Sequence, residues 1–163
     1  MTDIAMSKNN ILRESISFPL GTNFIVRKVA STLRMPVSEA RSIISLFKDG
    51  HAAEPVAKRL GAVLNDLKSE WLVKFQESLS NLSHDIFVPS DIYLRADKEM
   101  HSFFLEAIKT EQFNQYTLTQ SKFKVTFLDP EVFHGMALYG ENVIRDSSLI
   151  VDSIYINRFL THI

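Results

Sequence analysis

The sequence predicts an α/β fold. Short stretches near the start and in the last third alternate apolar and polar residues, the period of a half-buried strand. Between and among them apolar residues recur every three or four positions, the period of a helix packed on one face. The order is a hairpin, three helices, a strand, a helix, a strand and a terminal element, which is an α/β order. At 163 residues with 45% hydrophobic content, the chain has the length for one domain with a sizeable core.

The hairpin comes first. Residues 3–6, DIAM, form a short extended run, and KNN at 8–10 is turn chemistry because asparagine tolerates positive φ. In ILRESISF, Leu12, Glu14, Ile16 and Phe18 alternate with Arg13, Ser15 and Ser17, so one side of this strand is buried.

SFPLGTNF, residues 17–24, stops the alternation at Pro19 and Gly21 and then turns helical. Ile25, Val29 and Leu33, flanked by Val26 and Ala30, make the face of a first helix. Pro36 ends it, since the residue before a proline avoids the helical region. Ser38 reads as the N-cap of a second helix, with Ala40, Ile43, Ile44 and Phe47 on one face and Gly50 as its stop.

A third, long helix opens near Pro55, where a missing N–H costs nothing. Val56, Leu60, Val63, Leu67, Trp71, Phe75, Leu79 and Leu82 then step by three or four. The flanking charges follow no coiled-coil code, so the stripe reads as a core face within the molecule. Trp71 is expected to be buried against the second helix.

SDIYLRAD, residues 90–97, reads as a buried central strand after Pro89. Met100, Phe103, Phe104, Ala107 and Ile108 form a fourth helix. In KFKVTFLD, Phe123, Val125 and Phe127 alternate with Lys122, Lys124 and Thr126 as a strand. The terminal SSLIVDSIYINRFL fits either a helix or a strand, with Val151, Ile154, Tyr155 and Phe159 favouring the helix.

Composition excludes several function classes. A formal net charge of -1 leaves no electrostatic footprint for nucleic acid. Cysteine is absent, which excludes disulfides and thiolate metal sites and fits a reducing cytoplasm. No apolar run approaches the roughly 20 residues that span a bilayer, and residues 1–10 lack the order of a signal peptide. A cytoplasmic chain is expected.

Catalytic chemistry finds little support. The five histidines form no HxxxH or HExxH pair, so no metal site is assigned. No G-x-S-x-G elbow occurs, and no catalytic residue is assigned. Asp91 and Asp97 flank the predicted strand, where α/β proteins place sites, but read as ordinary capping residues. Gly21-Thr22-Asn23 matches neither of the standard glycine-rich phosphate cradles.

Residues 2–43, from TDIAM through PLGTNF to SEARSI, resemble the actin-like ATPase superfamily, closest to its FtsA and PilM branch. In that family a D-x-G-x-x-T-D phosphate loop runs into a strand, a turn and a second strand. A glycine-threonine start then opens a helix, and a helix bearing Ala-Glu follows. The long helix and the strands at 90–95 and 123–128 match the later family order, so the resemblance covers nearly the whole chain as order and pattern.

The resemblance implies the C-terminal half of an actin-like, ribonuclease-H-like subdomain. Its mixed sheet would use residues 1–35 and 84–163, and residues 36–83 would be a helical insertion carrying the long helix. The chain would be one domain and a fragment of a longer actin-like protein. It also implies a nucleotide corner. Thr2 and Asp3 would end the phosphate loop, Gly21 and Thr22 would open the helix, and Arg41 and Arg95 would lie near the adenosine.

Departures from the family pattern mark that corner as vestigial. The family's first phosphate loop is missing, and the second survives only as Thr2 and Asp3. Arg41 and Ile44 stand where the family has a glutamate and a lysine. Arg95-Ala96-Asp97 stands where it has a glycine pair. Each buried hydrogen bond lost in this way costs about 1–3 kcal/mol. No cofactor is therefore expected, with ATP and magnesium only if a missing half completes the site.

The implied function is a non-catalytic scaffold or interaction module in bacterial cell division or type IV pilus assembly. Its partners would be proteins, or a second copy through an open sheet edge, with indirect membrane association. The alternative is a nucleotide-binding half completed by a missing N-terminal half or a partner chain. In the family another strand lies between the hairpin and the two later strands. Without it, the strand at 3–6 is expected to close directly onto the strand at 90–95.

Overall fold

The computed structural model describes residues 1–9, 11–82, 88–110, 123–136, 140, 149–151 and 153–154. Strands β1 (Thr2–Lys8) and β2 (Ile11–Phe18) form an antiparallel hairpin, with Asn9 in the left-handed region at φ 55°. Thr2, Ile4 and Met6 turn inward on β1, as do Glu14, Ile16 and Phe18 on β2. Register runs from Thr2 opposite Phe18 to Met6 opposite Glu14, then slips so that Ser7 faces Leu12. That bulge at Arg13 overturns the expected inward role of Leu12, which is 63% exposed. An extra residue re-aims every side chain beyond it.

Helix α1 (Thr22–Leu33) buries Ile25, Val26, Val29 and Ala30. It ends at Arg34, held at φ 56° while its N–H bonds Ser31 O at 3.3 Å and Met35 N–H bonds Ala30 O at 3.0 Å. This crossed pair satisfies the last carbonyls of the helix. Helix α2 (Val37–Lys48) begins earlier than Ser38 suggests, because its N-cap is Pro36. The Ala40 N–H already bonds the Pro36 carbonyl at 3.0 Å, so Ser38 sits inside the first turn rather than capping it.

Helix α3 (Glu54–Leu82) has 29 residues, a rod of about 43 Å. Its buried row runs Leu60, Leu64, Leu67, Trp71, Phe75, Leu79 and Leu82. Leu64 replaces the expected Val63, because a straight helix drifts relative to any fixed three-and-four stepping.

Strands β3 (Asp91–Leu94) and β4 (Lys124–Phe127) pair in parallel, with helix α4 (His101–Thr110) between them in sequence. The 3₁₀ turn Lys98–Met100 leads into α4. Parallel strands need such a crossover. β3 is not a buried central strand. Its only described partner is β4, and while Ile92 and Leu94 are half-buried, Asp91 and Tyr93 are exposed. Nor does β1 close onto β3: among the described residues the two sheets stay separate. The hairpin packs on α3 through β2, and the parallel pair meets α4 where His101 stacks on Phe127 at 3.9 Å. Of the terminal segment, residues 149–151 and 153–154 are helical and Ile150 is buried, while the rest and Lys122 lie outside the described residues.

The described core is one apolar cluster with Trp71 in its middle. The indole is 2% exposed, stacks on Phe75 at 4.8 Å, meets Phe104 edge-on at 5.2 Å and lies 6.0 Å from Phe18. Its ring partners thus come from α3, α4 and β2, not from α2 as the sequence suggests; α2 packs mainly on α1. Trp71 Nε1–H donates to Thr2 Oγ1 at 3.1 Å, and that hydroxyl donates to the Leu20 carbonyl at 2.5 Å. Trp71→Ala is therefore expected to cost about 3–5 kcal/mol in urea unfolding. Thr2→Val, which strands the indole N–H, costs about 1–3 kcal/mol in the same assay.

Candidate functional site

Of the residues that the resemblance assigns to a nucleotide corner, Gly21 and Thr22 form the start of α1, Thr2 bonds Leu20 beside it and Arg41 reaches Asn23 in its first turn. Gly21 is the N-cap, with φ −118° and ψ −175°, and no side chain caps the helix. Its backbone is ordinary, but a Cβ there would run into the Met1 backbone, so glycine is required by close approach. Thr22 is the first helical residue and half-buried. On one side, Thr2 reaches the Leu20 carbonyl just before the cap. Asp3 points outward and accepts a hydrogen bond from Ser17 Oγ at 2.6 Å.

On the other side stands Arg41 of α2. Its Nη2 donates to Asn23 Oδ1 at 2.7 Å, and its Nη1 donates to Asp97 Oδ2 at 3.1 Å and Glu99 Oε1 at 3.0 Å. The hydrogen bond to Asp97 leads in raising the Arg41 pKa, against an opposing desolvation. Arg41 thereby ties α1, α2 and the segment after β3 together. Arg95 is exposed just beyond β3, two residues before Asp97.

The charges in this corner decide what it can hold. One guanidinium faces two carboxylates, so the cluster is net negative. A helix N-terminus attracts anions through free N–H groups, and here Arg41, bridged to Asp97 and Glu99, reaches Asn23 in the first turn of α1. Sequence reasoning singled out Arg41 and Asp97 for separate reasons. It missed that they bind each other, and it missed Asn23 and Glu99 as their partners.

Two cavities lie nearby. One, of about 310 Å³, opens between α2, α3 and α4 beside Glu99, with Lys68 and Glu106 at its rim in a 2.5 Å ion pair. The other, of about 370 Å³, is a cleft between β1 and β3 over Trp71, Phe75, Leu79 and Leu82. Thr2 and Asp3 line this second cleft. Among the described residues no group of three His, Asp or Glu side chains converges as a metal site, and no helix is long and apolar enough to cross a membrane.

No protein-family profile, curated protein or solved structure matches the chain.

The Arg41 pairs are partly exposed, and exposed pairs contribute little singly. Arg41→Ala should lower stability by about 1 kcal/mol in urea unfolding, and raised salt should shrink the difference. Arg41→Lys should recover only part of it, because an ammonium lacks the fork that spans three acceptors.

Proposed function

We propose that the chain is a non-catalytic, cytoplasmic scaffold domain of actin-like pattern, of the kind used in bacterial cell division or type IV pilus assembly. The likeness of residues 2–43 to that family supports the pattern. One observation carries the non-catalytic reading: the cation at the candidate nucleotide corner is already engaged by Asp97, Glu99 and Asn23. A working phosphate site offers uncommitted cationic side chains and a glycine-lined cradle. This corner has a single glycine, Gly21, whose open side is occupied by the Met1 backbone. Its protein partners would engage the open strand edges around the cleft over Trp71.

A second reading, a nucleotide-binding half completed by another chain, draws support from the position of Thr2 and Asp3. Both line the cleft between the sheets, where an added segment would meet them.

Isothermal calorimetry with magnesium-ATP separates the readings for the isolated chain. Micromolar binding corresponds to roughly 8 kcal/mol, and the expected outcome is no heat of binding in that range and no phosphate release. A magnesium-dependent micromolar Kd would overturn the scaffold reading.

A further inference from the structure

We infer that the cleft between β1 and β3 is a seat for a single extended peptide segment, apolar on its inner side and basic on its outer side. This rests on reading the chain as an interaction domain, and it names what the partner presents. β1 pairs only with β2, and β3 only with β4, among the described residues. In β3 the Ser90 and Leu94 carbonyls accept from Lys124 and Leu128, so the backbone groups turned away from β4 are those of Asp91 and Tyr93; among the described residues neither these nor the outer edge of β1 at residues 4–6 has a ladder partner. Unpaired groups on such edges bind strands.

Spacing excludes a direct pairing of the two edges. Paired strands lie about 4.8 Å apart, and two strands flanking a third lie about twice that. The Cα atoms of β1 and β3 lie mostly beyond 8 Å of one another, too far to pair. Length agrees: the floor row from Trp71 to Leu82 spans about 16 Å of helix, the run of a five-residue strand. Ile4, Ile92 and Leu94 already pack over this floor, so the inner side chains of the occupant must be of modest size.

The outer face specifies charge. Asp3 on β1 and Asp91 on β3 are both exposed and both line the cleft, one from each side. Asp91 has Lys124 as its register partner on β4, away from the cleft, and Asp3 has Ser17 on β2. An outward lysine or arginine on the occupant becomes the cross-strand neighbour of both carboxylates. Tyr93, 67% exposed beside them, offers its ring to the same cation.

A second copy does not qualify through its paired strands. The seat needs a segment with both edges free, and every described strand of this chain already spends one edge on its partner.

The test uses the whole chain and a short peptide of alternating valine and lysine, with glutamate-for-lysine and proline-interrupted versions. Amide exchange on the outer edge of β1 at residues 4–6, and at Asp91 and Tyr93, should slow about tenfold with the lysine peptide, as local opening is suppressed. The emission of Trp71 should shift on the same titration. Asp3→Asn combined with Asp91→Asn, which keeps the side-chain size and adds no like charge opposite Lys124, should weaken lysine-peptide binding about tenfold and remove its preference over the glutamate peptide. Protection on only one strand, equal binding of the proline-interrupted peptide, or a dimer that protects residues 4–6 without peptide would each overturn the inference. Failure here leaves the ATP titration untouched, so the two readings fall separately.

Discussion

Everything else in this chain hangs on the burial of one indole. Trp71 is the only tryptophan, and its ring is closed in by Phe18, Phe75 and Phe104 from three elements. Such clusters contribute through buried area and, in smaller measure, through ring geometry. The indole also carries one polar atom, which must be satisfied if it is to be buried. Thr2 does this, and by donating onward to Leu20 it fixes the first strand to the turn that opens α1. The same residue therefore sets the docking of the hairpin, the seat of α4 and the position of the candidate corner.

A long central helix with sheets attached separately leads to the open cleft. The hairpin is held through Phe18 and Thr2, and the parallel pair meets α4 where His101 stacks on Phe127, while Phe104 of α4 touches the same indole. Neither attachment requires the two sheets to meet. The Arg41 bridge to Asn23, Asp97 and Glu99 closes the far end, joining α1 and α2 to the segment after β3. That use of charge binds the fold at its edge.

Much of the fold was legible because its signals are local. The apolar stripes of α1, α2 and α4 and the alternation in Glu14, Ile16 and Phe18 are periodicities of neighbouring residues, and they appear as read. Readings failed where one residue shifts a period or where distant residues decide. The bulge at Arg13 exposes Leu12, and a helix start set by the Pro36 carbonyl displaces Ser38 from the cap. The apolar run in β3 looked central because run composition does not state how many strands lie beside it. The Arg41–Asp97 pair was not legible for a similar reason: the two lie 56 positions apart, and nothing local predicts that they spend their charges on each other.

The most direct test of this account is the set of short proton–proton distances around Trp71 in solution. Nuclear Overhauser contacts should link its indole ring to Thr2, Phe18 and Phe104 together, its Nε1 proton should exchange slowly, and no cross-strand contact should join β1 to β3. An indole proton that exchanges with water at once, or a continuous ladder between β1 and β3, would contradict it.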